Sequence, residues 1–429
     1  MSDNEKVSVF STMEDDIAAT TRTPEEAEKV RALMQEAERQ SKEKKIRTTR
    51  EANIWKRHLI LFKIYWIYGI HWRKPFYPFR LARNIILGKL YSWFGLKKYV
   101  LRGMEYATTF KCNFNCNHCL CARIDETDTR REMVPEDYAR VTQEAMDLGA
   151  LAFGLEGGEP FVSPVWKEII LACQPHYNHI IISTNGFLFN EEKAKWCAEN
   201  GVDTINFSMD SGIPELHDAF RKQRGSWQKV VEGVALCKKY GIKPILNTVV
   251  HKGNLYTDGF IKIMEFAEKE GILVNTLLAK GVGNFKDKDV VLDPEDLDAL
   301  RDISNRYCYA SRHLAYNYGK QFGCPGTKEM INMTPYGDVM NCANMHVYQG
   351  NVMEEPLKDI RERGLNSPFG LYNPCFLADD PDFMAVYYPL LEEHGHVSLD
   401  EFSKALCKYE LENKKTVYPE LAEHCQPRP

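Results

Sequence analysis

Six short apolar segments, each followed by a helical pattern, constrain the fold of this 429-residue chain more than any other feature. Strands are predicted at residues 105–110, 151–156, 179–184, 203–209, 243–250 and 273–278. Helical patterns begin near Pro135, Pro164, Glu191, Ser226 and Tyr256, and another is predicted from Pro294 to about Tyr318. This alternation predicts an α/β fold with a parallel sheet and outer helices, either an open sheet or an incomplete barrel.

Three closely spaced cysteines follow the first predicted strand. Cys112, Cys116 and Cys119 have the spacing Cys-x3-Cys-x2-Cys within KCNFNCNHCLC. Thiolates at this spacing can bind one face of a 4Fe–4S cube and leave its fourth iron without a protein ligand, whereas a structural zinc site needs a fourth ligand. Because the loops after parallel strands meet at the C-terminal edge of the sheet, we expect a functional site there.

Small polar residues follow the next four predicted strands. The second strand leads into Gly-Gly-Glu-Pro, whose glycines let the backbone approach a ligand closely. The later strand ends carry the sequences STNG, SMDS and NT. Each sequence alone is typical of a turn or a helix N-cap. Together they indicate a ligand with ribose and amino-acid parts.

The sequences CNFNCNHC, GGEP, STNG and FSMDS together resemble those of the radical S-adenosylmethionine (radical SAM) enzymes, over residues 105–278. The resemblance implies a partial (β/α)6 TIM barrel and a 4Fe–4S cluster on Cys112, Cys116 and Cys119 whose open iron binds SAM. In this family the reduced cluster cleaves SAM to methionine and a 5′-deoxyadenosyl radical, which abstracts hydrogen from a substrate. An electron donor such as flavodoxin or ferredoxin is implied as a partner.

The resemblance also implies cofactor contacts for ten residues, while it assigns no catalytic side chain. His118 is expected at the adenine, and Gly157, Gly158 and Glu159 at the methionine amine. The remaining expected contacts are Ser208 and Asp210 near the ribose, Arg221 at the carboxylate, and Thr184, Asn185 and Asn247 near the cofactor. Cys121 is interpreted as a non-ligand, because its ligation would compete with SAM for the open iron.

Cysteines return in the C-terminal third of the chain. Cys324, a hairpin-like PYGDVMNC ending in Cys342, and Cys375 resemble the SPASM/twitch extension of some radical SAM enzymes, which binds auxiliary Fe–S clusters. The dense cysteine run of a full SPASM domain is absent from the sequence, so one auxiliary cluster on these three residues is predicted. Three unrelated buried thiols are the alternative. The fourth ligand is left open between Cys407 and Cys425.

The first hundred residues differ in composition from the rest. Residues 1–22 are polar and acidic and are predicted to be disordered, and a mostly polar helix is predicted from Pro24 to about Arg50. Residues 53–102 carry eleven Lys and Arg, thirteen aromatic residues and no Asp or Glu. Such a segment suits the surface of an anionic membrane. The alternative is that it packs on the main domain, and nucleic-acid binding is not indicated because no recognition fold is visible.

Composition narrows the location and the class of protein. Thirteen cysteines are too dilute for a secreted disulfide scaffold, and the acidic start predicts no secretory signal. We therefore expect a cytoplasmic protein that associates peripherally with the membrane. The predicted division is a polar N-terminal region (1–52), a basic aromatic segment (53–102), a radical SAM core (103–318), an auxiliary-cluster domain (319–376) and a helical tail (377–429).

The predicted function is hydrogen abstraction from a lipid, isoprenoid or other membrane-associated substrate. The alternatives are modification of a ribosomal peptide and the biosynthesis of a small metabolite or cofactor. The basic aromatic segment favours the first, and the SPASM/twitch resemblance favours the peptide. A non-catalytic Fe–S or SAM-binding protein is difficult to reconcile with the intact cysteine and GGEP sequences.

Overall fold

The computed structural model describes residues 8–69, 74–96, 98–121, 129–286, 288–307, 309–312, 315–316, 322–371, 381–394 and 397–413. The strands are β1 Gly103–Thr109, β2 Ala152–Gly157, β3 His179–Thr184, β4 Thr204–Ser208, β5 Lys243–Val250, β6 Leu273–Leu278, β7 Ala310–Arg312, β8 Ala315–Tyr316, β9 Phe322–Gly323, β10 Met330–Met333, β11 Asp338–Cys342, β12 Met345–Asn351 and β13 Val397–Ser398. The helices are α1 Val9–Met13, α2 Ile17–Thr20, α3 Pro24–Glu43, α4 Ile54–Gly69, α5 Tyr77–Trp93, α6 Pro135–Asp147, α7 Trp166–Ala172, α8 Glu191–Glu199, α9 Pro214–Arg221, α10 Ser226–Tyr240, α11 Asp258–Glu270, α12 Pro294–Arg306, α13 Leu357–Leu365, α14 Pro368–Leu371, α15 Pro381–His394 and α16 Leu399–Asn413.

The strands β1 to β6 are neighbours in chain order and run parallel, which confirms the predicted α/β barrel architecture. Side chains along β5 alternate between fully and partly buried, because successive residues of a strand point to opposite faces. The fully buried side chains pack under the outer helices. In the same way, Ile182 of β3 and Phe207 of β4 are buried in one cluster with Val234 of α10. The opposite face lines the interior of the barrel.

The sheet is longer than predicted at the β6 edge. The helix from Pro294 ends at Arg306, not near Tyr318, and β7 follows it. This strand pairs in parallel with β6, and the Val274 amide donates to the Tyr309 carbonyl at 3.0 Å. Without β7, the edge of β6 would carry unpaired backbone groups. The residues after Arg306 therefore pair with β6 and do not continue the helix.

The C-terminal extension continues the same sheet at the β1 edge. β10 lies parallel to β1, while β11 and β12 follow as antiparallel neighbours. The turn between β10 and β11 contains Gly337 at a φ of 88°, and the Gly337 amide donates to the Thr334 carbonyl at 3.1 Å. The hairpin predicted from PYGDVMNC is present, and it positions Thr334 beside the C-terminal end of β1.

The N-terminal region is more ordered than its composition predicts. Val9, Met13 and Ile17, at a spacing of four residues, form an apolar stripe on α1 and α2 that is buried against Val30 and Met34 of α3. This cluster packs on α9 and on residues 279–290. The expectation of disorder is therefore wrong from Ser8 to Arg22, because apolar residues at a four-residue spacing form one buried face among many polar residues. Residues 1–7 lie outside the described residues.

The helix α5 lies at the N-terminal ends of the strands. Lys74, just before it, donates to the Asn178 and Gly201 carbonyls at 2.7 and 3.0 Å. Arg80 donates to the Ala150 carbonyl at 2.9 Å. These carbonyls precede β2, β3 and β4, so α5 covers the end of the barrel opposite the cysteine loop. Within the described parts of the chain, no helix is long and apolar enough to cross a membrane.

Candidate functional site

The cysteine loop lies at the C-terminal edge of the barrel, directly after β1. Cys112 is exposed, Cys116 is buried, and Cys119 is half-buried. The Asn117 amide donates to the Phe220 carbonyl at 3.2 Å, and the Asn284 side chain donates to the Cys116 carbonyl at 2.9 Å. Contacts from α9 and from the segment after β6 therefore fix the shape of the loop.

The three thiols lie close enough together to influence one another's ionisation. Burial raises the pKa of Cys116 to about 12, although the nearby Arg221 guanidinium opposes the shift. Burial also raises the pKa of Cys112. Among the described residues, no three His, Cys, Asp or Glu side chains converge on one point as ligands of a single ion would. In a 4Fe–4S cluster each thiolate would bind a different iron, and metal binding would displace the thiol protons.

Two glycines after β2 let the next loop pack onto the cysteine loop. A Cβ on Gly157 would lie 2.4 Å from the Thr109 carbonyl oxygen, and one on Gly158 would lie 2.2 Å from that of Lys111. Gly157 also has a φ of 117°, which few other residues adopt. The Gly158 amide donates to the Thr109 carbonyl at 2.8 Å. The two glycines therefore let this loop approach the end of β1 and the start of the cysteine loop, while their approach to a ligand stays a prediction.

Glu159 is turned away from the cavity and holds the next loop in place. Its carboxylate accepts from the Thr184 hydroxyl and from the Asn185 amide, both at 2.8 Å. Burial raises the pKa of Glu159 to about 7, against the effect of these donors. Asn185 in turn donates through its side chain to the Asn113 side chain at 2.8 Å. Glu159 therefore connects the GGEP turn to the cysteine loop through Asn185.

Asp210 and Arg221 form a buried ion pair beside the cysteines. Arg221 donates from Nε and Nη2 to Asp210 Oδ2 at 2.7 and 2.6 Å, and its Nη1 lies 3.8 Å from Cys116 Sγ. Burial is the largest single influence and would raise the pKa of Asp210, but Arg221, His118, His217 and the Val249 amide together lower this pKa to about 2. The pair therefore aims a fixed positive charge at the cluster position.

His118 belongs to a stack of rings between the cysteine loop and α9. Its ring lies parallel to that of Phe220 at 5.0 Å, and Phe220 stacks on His251 at 5.6 Å. Burial lowers the pKa of His118 to about 3. Its Nδ1 is buried without a hydrogen-bond partner in the described structure. The imidazole is therefore neutral and carries a polar atom that a ligand can satisfy.

A cavity that is open to solvent joins these elements. Seven of the ten predicted cofactor contacts line it: His118, Gly157, Gly158, Thr184, Asn185, Ser208 and Arg221. Glu159, Asp210 and Asn247 do not line it. Glu159 and Asp210 hold lining residues in place, and Asn247 accepts from the Asn275 side chain at 3.1 Å. Cys121 packs beside Phe110 and Tyr336 and donates to the Gly157 carbonyl at 3.6 Å.

The sequence-based prediction missed the side of the cavity formed by β2, β10 and β12. Glu156, Asn332 and His346 line this side. Burial and the neighbouring Glu105 raise the pKa of Glu156. The Oδ1 of Asn332 is buried and has no hydrogen-bond partner in the described structure. Glu156 directly precedes Gly-Gly-Glu-Pro, so its position at the site could be predicted from the sequence. Asn332 and His346 lie on strands that are distant in the chain, so no local pattern places them there.

Of the C-terminal cysteines, Cys324, Cys342 and Cys407 are described, and none of them lines the cavity. A Cβ on Gly326 would lie 3.4 Å from Cys324 Sγ and 2.7 Å from the Asn341 carbonyl oxygen, so Cys324 and Cys342 are on adjacent segments. The Asn344 amide donates to Cys342 Sγ at 3.4 Å. Cys407 lies on α16 and is disulfide-bonded. Cys375 and Cys425 lie outside the described residues.

Comparison with known proteins identifies the barrel. Residues 106–267 match the family model of the radical SAM superfamily. An AdoMet-dependent heme synthase of Methanosarcina barkeri is 24% identical over 314 residues, which cover 65% of this chain and 88% of that protein. A GTP 3′,8-cyclase of Syntrophomonas wolfei is 30% identical over 207 residues, which cover 47% of this chain but 63% of the cyclase.

Among solved structures, Streptococcus suis SuiB bound to S-adenosylmethionine superposes with a TM-score of 0.53 at 17% identity. The match covers 71% of this chain and 76% of SuiB, and it supports the fold. The cysteine donors, the glycine cradle and the neutral His118 fit a 4Fe–4S cluster with SAM. The chain therefore contains a radical SAM domain and is a radical SAM enzyme, whose cofactors are a 4Fe–4S cluster and S-adenosylmethionine.

Proposed function

We propose that this enzyme abstracts hydrogen from a polar small molecule, as a step in the biosynthesis of a metabolite or cofactor. When bound, the cluster on Cys112, Cys116 and Cys119 supplies the electron that cleaves SAM. The observation that carries the proposal is that Glu156, Asn332 and His346 line the same cavity as seven of the predicted SAM contacts.

The second side of the cavity suits a substrate that donates hydrogen bonds. The half-buried Glu156 carboxyl opens into the cavity, and Asn332 offers an acceptor without a partner in the described structure. An unmatched buried polar group is costly, so a substrate that supplies donors gains affinity there. Leu277 and Met340 add apolar surface to the same cavity. Apolar walls with a few well-placed polar groups are typical of small-molecule sites.

The position of the basic aromatic segment removes the reason for expecting a lipid substrate. That expectation rested on residues 53–102, but α5 lies at the opposite end of the barrel from the cavity. The six-residue strand β2 alone separates the two ends by about 20 Å. The names of the relatives, a heme synthase and a GTP cyclase, favour a small molecule. Peptide modification remains the alternative, to which the likeness to SuiB adds only the fold.

The remaining expectations concern the electron donor and the auxiliary cluster. The loop around Cys112 is exposed at Lys111 and Asn113, so a flavodoxin or ferredoxin can approach the first cluster. We place an auxiliary cluster on Cys324, Cys342 and Cys375. The fourth ligand stays open, because Cys407 is disulfide-bonded in this structure and Cys425 lies outside the described residues. About four irons per chain, in place of about eight, would remove the auxiliary cluster from this account.

The substrate class can be tested by anaerobic turnover. The reduced enzyme is mixed with SAM and with small-molecule, peptide or lipid fractions of a cell extract, and 5′-deoxyadenosine is measured by mass spectrometry. We expect stimulation by the small-molecule fraction. Glu156→Gln and Asn332→Leu should lower the ratio of stimulated to unstimulated product at least tenfold, whereas Glu199→Gln, an exposed control, should not. Stimulation by the peptide or lipid fraction alone would contradict the proposal.

A further inference from the structure

The helix α5 exposes an apolar stripe to solvent, whereas an ordinary surface helix buries its apolar stripe. Its inward face carries Asn84, which donates to the Gly149 carbonyl at 2.7 Å, and Gly88. Its outward face carries Phe79, Ile86, Leu90 and Trp93, which are 75%, 57%, 37% and 82% exposed. These four positions recur at intervals of three, four and seven residues and form one stripe. The helix therefore contacts the barrel through Tyr77, Asn84 and Gly88 and presents an apolar face outward.

The apolar face is fixed to the barrel, and α4 also exposes apolar side chains. Lys74 and Arg80 anchor the start of α5 through three backbone carbonyls of the barrel. On α4, Trp55 is 83% and Leu59 is 61% exposed. Isolated exposed apolar residues are common on proteins, but a contiguous apolar stripe on a rigid helix marks an interaction surface.

The charges around this face select its partner. Arg83 and Lys89 lie on either side of the α5 stripe, and both are exposed. Neither forms an ion pair with another described residue. Residues 53–102 contain eleven Lys and Arg and no Asp or Glu. In a symmetric dimer this face would meet its own copy, so basic side chains would face basic side chains. Phosphate groups above an apolar layer complement both the stripe and its flanking cations.

We propose that α5, with Trp55 and Leu59 of α4, docks in the headgroup layer of an anionic bilayer. The stripe enters the boundary between headgroups and acyl chains, and Arg83 and Lys89 reach the phosphates. Because α5 covers the N-terminal ends of the strands, the bound enzyme holds its cysteine loop away from the bilayer. Substrate and electron donor then reach the cavity from the aqueous side. This docking is independent of the substrate proposed above.

The test is co-sedimentation of the full-length enzyme with vesicles. One set is pure phosphatidylcholine, and the other contains one quarter phosphatidylserine. We expect binding to the second set that weakens with salt. Phe79→Ser/Trp93→Ser and Arg83→Glu/Lys89→Glu should each weaken it at least tenfold, because each cation near such a surface contributes about fivefold in affinity. The fluorescence of Trp93 should shift to the blue on binding.

Two controls and three contrary outcomes complete the test. Leu411→Ser removes an exposed apolar side chain away from this face, since Leu411 is 74% exposed on α16. Lys358→Glu is matched for charge on α13, where Lys358 is exposed. Neither should change binding. Failure of the wild-type enzyme to bind overturns the proposal, and so does binding that survives the Phe79→Ser/Trp93→Ser change. A stable dimer in light scattering that Ile86→Ser dissociates would assign the face to a second copy and also overturn it.

Discussion

Removal of the Asp210 charge should destabilise the core of the site. The carboxylate is buried and accepts from Arg221 and from the Val249 amide at 3.0 Å. Its pKa is lowered from 3.8 to about 2, which corresponds to about 2 kcal/mol of folding free energy. Asp210→Asn also leaves the Arg221 guanidinium buried without a counter-ion. Breaking a buried pair from one side costs about 3–5 kcal/mol.

A double-mutant cycle separates the interaction between Asp210 and Arg221 from the effect of each side chain alone. Asp210→Asn, Arg221→Met and the double variant are unfolded in urea under anaerobic conditions and followed by circular dichroism at pH 7.5. The double variant should be more stable than Asp210→Asn alone, because it buries no unpaired charge. Glu26→Gln is the matched control, since Glu26 pairs with Arg224 on the surface and exposed pairs contribute little.

The pH dependence of the same variants gives an independent check. The folded-state pKa of Asp210 lies below its unfolded value of 3.8, so its contribution is present above pH 3.8 and is lost as the pH falls towards 2. Asp210→Asn should lack this acid-dependent loss. Strictly additive changes in the free energy of unfolding would refute the argument, because they would show that the two side chains do not act as a pair.

Two further predictions follow from the packing around the site. Gly158→Ala should prevent retention of the cluster, since its Cβ would lie 2.2 Å from the Lys111 carbonyl oxygen. The control variant Gly154→Ala should retain the cluster, because the new Cβ meets mainly the flexible Glu105 side chain. Equal iron content in the two variants would contradict this prediction. Burial lowers the pKa of His179 in the folded chain to about 3. As the pH falls below 6.5, the imidazole therefore takes up a proton in the unfolded chain but not in the folded one. Between pH 7.5 and pH 5 the enzyme should lose about 2 kcal/mol of stability through this group. His179→Gln should flatten the dependence, and an unchanged slope in urea unfolding would refute it.

The central strands could be predicted from local pattern. β3, β5 and β6 begin and end where the sequence predicts, because β-branched runs such as His179–Thr184 are bounded by polar turn residues. The order of the strands followed from the β/α alternation, and with it the position of the cysteine loop. The local sequence also located the two glycines that pack on the cysteine loop, because Gly157 and Gly158 stand in Gly-Gly-Glu-Pro directly after a predicted strand.

The missed features depend on contacts between residues that are distant in the chain. The apolar stripe of α1 and α2 has meaning only against Val30 and Met34. The composition of residues 53–102 showed a basic aromatic segment, but only its hydrogen bonds to the strand starts show which end of the barrel it covers. The likeness to a family placed Glu159 and Asp210 against the cofactor, whereas both serve other residues of the site in this structure.

Reductive cleavage of SAM by cysteine variants tests the central claim most directly. The reconstituted enzyme is reduced with dithionite in the presence of SAM, and 5′-deoxyadenosine is measured by mass spectrometry. Wild-type enzyme and Cys121→Ala should form it, because we interpret Cys121 as a non-ligand. The variant with Cys112, Cys116 and Cys119 all changed to Ala should form none and should lack the reduced-cluster signal. Cleavage that persists in this variant would contradict the account.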